Sequence, residues 1–207
     1  GRTEIMKCLF GLDEYDEGEI ILNDHKINFN HPKEAIKRGL GFVPEDRKRE
    51  GIIPLMSVKE NLSLPSLPWI NNYGWIDQKK VYKLSTKYIN NLNIDTPSEE
   101  QQVAYLSGGN QQKVCLGKWL ALSPNVLILD EPTRGIDVGA KAEIHTIVEK
   151  LVKKGIGIIM ISSELPEIIG ISDKIIVLHE GKITGRFDYK NANQKKIMYR
   201  ATGAKEE

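Results

Sequence analysis

Three runs of almost unbroken apolar residues decide what this chain can fold into: NVLIL at 125–129, GIIMI at 157–161 and KIIVL at 174–178. A strand with one wet face alternates polar and apolar residues, so a continuous run of this length reads as a strand covered on both faces. Helical periodicity fills the gaps at 140–152 and 164–169, and such alternation of strand and helix predicts a parallel sheet with helices packed on it. A further buried strand is predicted at 40–43, stopped by Pro44, after a helix that Pro32 opens. Upstream, 19–22 and 26–29 read as a short hairpin, because Asn23-Asp24 between them tolerates the backbone of a tight turn. A terminal strand is expected at 184–187, after a turn at His179-Glu180-Gly181, and a closing helix from Asn193.

The 207 residues suit one sizeable α/β domain over 1–207, carrying an inserted helical lobe at about 57–120. The lobe is punctuated by Pro65, Pro68, Trp69, Tyr73 and Trp75, and the aromatics are expected in its core. With a formal charge of +1 and acids and bases interspersed, the chain lacks the basic stripe a nucleic-acid binder needs, so no nucleic-acid partner is expected. No apolar run approaches the roughly 20 residues of a membrane span, and no signal-peptide pattern is present. Cys8 and Cys115 fall at apolar positions of predicted helices, which fits free buried thiols in a reducing compartment, the cytosol by default.

Ligands of parallel α/β sheets sit at the carboxyl ends of the strands, which directs attention to Asp130-Glu131 directly after LIL. Asp130 suits Mg²⁺ and Glu131 an attacking water, although any buried strand can end in Asp-Glu before a proline turn. Ser107-Gly108-Gly109 precede a predicted helix, so unpaired N–H groups and the positive end of the helix dipole face an anion there. Ser-Gly-Gly alone would read as an ordinary helix cap; LSGGNQQK followed shortly by LILDEPTRGID is far more specific.

This combination resembles the ATP-binding cassette (ABC) ATPases. LSGGNQQK, with Leu106, Ser107, Gly108, Gly109 and Gln111, resembles the signature motif, VLILDE the Walker B strand, and Arg134-Gly135-Ile136-Asp137 the D-loop. The wording GRTE, EDRKREG, SVKENLSL, DEPTRGIDVGAK and ISSELPEI is similar to the carboxyl-terminal cassette of bacterial ribose/galactose/xylose-type importers. The resemblance implies an α/β P-loop NTPase fold with a mixed, mainly parallel sheet, an antiparallel β part and an inserted helical subdomain. It implies ATP and Mg²⁺ as ligands, a second cassette fused upstream, integral membrane permease subunits, and a periplasmic or extracellular sugar-binding protein reached indirectly. The place it implies is the cytoplasmic face of the membrane, peripherally, with import of a monosaccharide as the work.

Gly1, Arg2 and Thr3 align with the last three positions of a Walker A loop, whose earlier glycines lie outside the sequence, so weak or absent nucleotide binding is expected of the chain alone. By resemblance, Gly1, Arg2, Thr3, Glu4, Glu45 and Ser163 belong to the nucleotide site, Thr3, Glu45 and Asp130 to Mg²⁺, and Glu131 to catalysis. Arg2 stands where lysine is usual, Glu45 where glutamine is, and Ser163 where histidine is; Ser163 also reads as a helix cap. These departures predict a weak or slow site here, while the intact signature completes the site of a facing cassette. The alternatives are a module that binds nucleotide without hydrolysing it and a soluble ABC ATPase outside transport, which the near-neutral charge and the importer wording disfavour. His25, His31, His145 and His179 lack metal-ligand spacing and read as solvated, and EDRKREG reads as a solvated charged loop beside the surface that receives a membrane-subunit helix.

Overall fold

The computed structural model describes residues 1–72 and 74–203. Helix α1 (Arg2–Phe10) leads to the hairpin β1 (Ile20–Leu22) and β2 (His25–Ile27), then to α2 (Pro32–Lys37) and β3 (Leu40–Val43). Next come α3 (Val58–Ser63), α4 (Leu67–Ile70), the two-residue strands β4 (Asn71–Asn72) and β5 (Trp75–Ile76), and the helices α5 (Gln78–Asn91) and α6 (Gly108–Leu120). The remainder runs β6 (Val126–Asp130), α7 (Val138–Lys153), β7 (Gly157–Ile161), α8 (Leu165–Ile171), β8 (Lys174–His179), β9 (Lys182–Asp188) and α9 (Gln194–Ala201).

Strands β3, β6 and β7 form a parallel sheet with β6 in the middle, Phe42 opposite Ile128 and Asp130 opposite Ile161. The unbroken apolar run of β6 is explained by its position. Leu127 and Leu129 enter one core with Val114 and Leu116 of α6, Ile144 and Val148 of α7, and Leu62, Tyr88 and Leu92 of the helical lobe. Ile128, pointing the other way, enters a second cluster with Phe10, Phe29 and Phe42. Phe10 lies 5.5 Å from the Phe42 ring and 5.5 Å from that of Trp119, which docks α1 beside the sheet. The lobe is bolted on by polar contacts as well: the Tyr88 hydroxyl donates to the Leu120 carbonyl at 2.6 Å, inside the core.

Two strands differ in pairing from the predicted continuous sheet among the described residues. β7 has β6 as its neighbour there, and Ile159 is 38% exposed. Among the described residues β8 pairs antiparallel with β9, and Glu180-Gly181, both left-handed (φ 46° and 75°), turn the chain back between them in two residues. The aromatics of the lobe also differ. Trp69 is 59% and Trp75 82% exposed, outside the core cluster that Leu62, Tyr88, Leu92, Ile94 and Val103 join; Tyr73 lies outside the described residues.

The charge run is not an open loop. Arg47–Gly51 form one wide helical turn, capped by the Asp46 carboxylate, which accepts from the N–H groups of Lys48 (3.1 Å) and Arg49 (3.2 Å). The buried Lys118 of α6 donates to the carbonyl of Gly51 and fastens the end of this turn to the signature helix. Burial pushes the Lys118 pKa down, and the neighbouring Cys115 thiol, fully enclosed, is pushed up to about 11.

Candidate functional site

The carboxyl ends of β6 and β7 and the start of α1 meet at one place. Asp130 ends β6 with a fully buried side chain, and both carboxylate oxygens are without a hydrogen-bond partner among the described residues. Burial raises its pKa and the nearby Glu131 adds to this, while the adjacent Thr3 hydroxyl, Arg2 and Lys7 act in the opposite direction. A buried carboxylate in this condition suits a cation. Thr3 sits in the first turn of α1, and its hydroxyl lies beside the Asp130 carboxylate.

Glu131 takes a left-handed backbone (φ 47°), uncommon outside glycine, asparagine and aspartate, and held here from both sides. Its N–H donates to the Ile161 carbonyl at 2.9 Å, and its own carbonyl accepts from the Arg134 N–H at 3.1 Å. The Ser163 hydroxyl donates to the Glu131 carboxylate at 3.1 Å. Ser163 is therefore no helix cap. It is Ser162 whose hydroxyl accepts the Glu164 N–H (3.0 Å), because α8 begins at Leu165 with Pro166 in its first turn, and Glu164, its N-cap, makes no side-chain cap bond. Arg2 turns to the same segment, its guanidinium donating to the Ser162 carbonyl at 3.3 Å. Glu4 is exposed in the first turn of α1.

Glu45, expected beside Mg²⁺, forms an ion pair with Arg134 across the turn that follows Glu131. Arg47 donates to the carbonyls of Arg134 (2.8 Å) and Gly135 (3.2 Å).

The second group of expected residues lies on the other side of this guanidinium. Ser107 caps α6, its hydroxyl accepting from the Asn110 N–H at 3.4 Å, and Gly108 and Gly109 form the first turn. A Cβ on Gly109 would stand 2.5 Å from the Ala140 Cβ, so glycine lets α6 touch α7 there. A Cβ on Gly108 would stand 2.9 Å from the Arg47 guanidinium and 3.3 Å from the Gly135 carbonyl. Asp137 caps α7 by accepting from the Ala140 N–H at 2.9 Å. Leu106 packs against the main core, and Gln111 is buried, donating to the Val103 carbonyl at 3.1 Å, so it supports the signature turn from beneath and does not face outward. Lys113, also buried, donates to the Asn93 carbonyl (2.7 Å) and pairs with Glu143 of α7.

Sequence reasoning missed Arg47, Lys113, Lys118 and Glu167. The first is hidden in a charge run, and the rest are charged residues on helix faces whose burial only packing creates. It also misread His145, which is not solvated: its ring nitrogen lies 2.7 Å from the buried Glu167 carboxylate and, with the Lys141–Glu164 pair, links α7 to α8. Among the described residues no helix is long and apolar enough to cross a membrane, and no group of three His, Cys, Asp or Glu is placed to hold a metal.

The sequence profile of the ABC transporter family matches residues 1–134. The chain belongs to this family. Among curated relatives, the xylose import ATP-binding protein XylG of Thermoanaerobacter pseudethanolicus is 54% identical over 99% of this chain and 41% of its own length. The ribose import ATP-binding protein RbsA of Bacillus subtilis is 50% identical over 99% of this chain and 42% of its own. The cassette thus spans about two fifths of the length of these relatives. Among solved structures, an ATP-binding cassette of an ABC transporter in its ADP conformation superposes with a TM-score of 0.77 at 22% identity, over 98% of this chain and 80% of that one. A dimeric cassette in a post-hydrolysis state, bound to ADP and Pi, gives 0.77 at 22%, over 91% and 81%. These likenesses establish the fold as that of an ABC ATPase cassette: a P-loop NTPase with a mainly parallel sheet, antiparallel strands and added helices.

Proposed function

We propose that this cassette binds and hydrolyses ATP as part of a bacterial monosaccharide importer, at the cytoplasmic face of the membrane and against permease subunits that receive sugar from an external binding protein. The observation that carries the reading is the meeting of buried, unpartnered Asp130 with the Ser163-held Glu131 beside the first turn of α1. The sugar rests on the names of the relatives, which are xylose and ribose import proteins. Which pentose or hexose is carried is a matter for the binding protein and permease.

The residues fit a divalent cation, since Asp130 offers two buried oxygens without partners and Thr3 a neighbouring hydroxyl. Asp130 and Thr3 would hold Mg²⁺, which when bound neutralises phosphate charge. Glu45 joins them only by releasing Arg134. Gly1, Arg2, Thr3 and Glu4 present the N-terminal turn of α1 to the phosphates. Glu131, oriented by Ser163, accepts the proton of a water whose oxygen bonds to the γ-phosphorus as the bond to the β-bridging oxygen breaks, releasing ADP and phosphate.

The cassette would face a second one in the same polypeptide, for which the greater length of the relatives leaves room. Ser107, Gly108, Gly109 and Asp137 then complete the opposite site, and this chain's own site, with Arg2, Glu45 and Ser163, turns over slowly. Single-turnover hydrolysis by the full-length polypeptide tests this. Ser107→Arg is expected to remove most activity and Glu131→Gln only part; the reverse pattern refutes the asymmetry. The Glu45–Arg134 pair favours a second reading, a module that binds nucleotide without hydrolysis. Binding of a fluorescent ATP analogue with no turnover in a polypeptide whose facing site is silenced would select it.

A further inference from the structure

We propose that Arg47 is a positioning residue for hydrolysis at the facing site, joining the signature turn and the D-loop into one rigid ledge. The proposal rests on the reading that this cassette lends those motifs to a partner. The turn 134–135 has no ladder of its own: it hangs between the Glu131 carbonyl, which accepts the Arg134 N–H, and the Asp137 cap of α7, with Gly135 in the left-handed region (φ 67°). What fixes its height above the signature helix is Arg47. One nitrogen of the guanidinium donates to the Arg134 carbonyl at 2.8 Å and the other to the Gly135 carbonyl at 3.2 Å, while the same group lies against Gly108. Only a planar fork reaches both carbonyls at once.

Arg47 is itself held. Asp46 caps the turn it starts, its carbonyl accepts the Ile52 N–H at 2.8 Å, and Lys118 ties the end of that turn to α6. Glu45, two residues earlier, grips the side chain of Arg134 from the other side. The segment after β3 thus clamps the D-loop turn by main chain and side chain together. A change at Glu45 in this cassette's own site is carried, through Arg134, to the face offered to the other.

The test is steady-state hydrolysis by the full-length polypeptide carrying Glu131→Gln, which leaves turnover to the facing site. In that background Arg47→Gln should lower kcat about ten- to a hundredfold with KM for ATP within about twofold, because a misplaced group of about 1 Å costs that much without touching ground-state binding. Arg47→Lys should recover part of the loss, and the thermal midpoint should stay close to that of the parent. Ser107→Arg in the same background controls the underlying reading. If Ser107→Arg abolishes turnover and Arg47→Gln leaves it unchanged, the role of Arg47 is overturned while the lent signature stands. If Ser107→Arg has no effect, the lent signature falls and the proposal with it. Loss of stability and activity together in both Arg47→Gln and Arg47→Lys also overturns it, marking the residue as a structural support alone.

Discussion

Asp130→Asn should stabilise the metal-free protein. The wild-type carboxylate is fully buried, and among the described residues neither oxygen has a hydrogen-bond partner within ordinary reach although the Thr3 hydroxyl is adjacent, a condition that costs about 1–3 kcal/mol for an unsatisfied polar group and more for a charged one. Asparagine keeps the shape and part of the polar cost but removes the charge, so a gain of about 1–2 kcal/mol is expected, or about 2–8 °C in Tm for a domain of this size. The pH dependence follows from the raised pKa. In the folded state Asp130 holds its proton to a higher pH than in the unfolded chain, so the native state binds more protons in that interval, and wild-type stability falls as pH rises through it. The advantage of asparagine should therefore be full above the folded-state pKa and fade on acidification below it toward the ordinary carboxylate range. Differential scanning fluorimetry in EDTA, from pH 4 upward, measures this. With Mg²⁺ and nucleotide added to the full-length polypeptide, the order should reverse, since only the carboxylate holds the cation. A lower Tm for Asp130→Asn in EDTA at neutral pH would refute the reasoning, because it would mean that the carboxylate is already satisfied.

Gly109→Ala places a methyl group 2.5 Å from the Ala140 Cβ, and overpacking of this kind costs about 1–3 kcal/mol; thermal melts should show the loss, and Ala140→Gly in the same chain should return most of it. The thiols should separate cleanly. At pH 8 a thiol reagent is expected to modify half-buried Cys8 and leave Cys115, whose buried thiol is pushed up to about 11, until denaturant exposes it; equal reaction of both in the native protein would contradict the enclosed position of α6.

Local pattern carried much of the fold. Periodicity marks a face, and β6, α6 and α7 each have one face or two that only a core can cover, so their kind and place could be read directly. Caps are just as local: Ser57 with Glu60, Ser107 and Asp137 each hold N–H groups within three residues. The exceptions are informative. β8 has the same apolar run as β6 but finds its neighbour across a two-residue turn, and Trp75 has a core residue's chemistry on a strand that leaves it exposed. Neither the identity of a strand's neighbour nor the room left in a core is written in one segment.

What the sequence by itself determined was the set of chemical groups at the ends of strands and the starts of helices: Thr3, Asp130, Glu131, Ser107, Gly108, Gly109 and Asp137. Only the tertiary structure decided which charge meets which. Arg47 and the carbonyl of Gly135 are 88 residues apart, Lys118 and Gly51 67 apart, Ser163 and Glu131 32 apart. A side chain's charge is a property of the residue, but its use depends on a partner that the fold brings within about 3 Å, and in the unfolded ensemble greater separation and solvent screening weaken such a contact to little. That is why a run reading as a solvated loop became the clamp between two motifs.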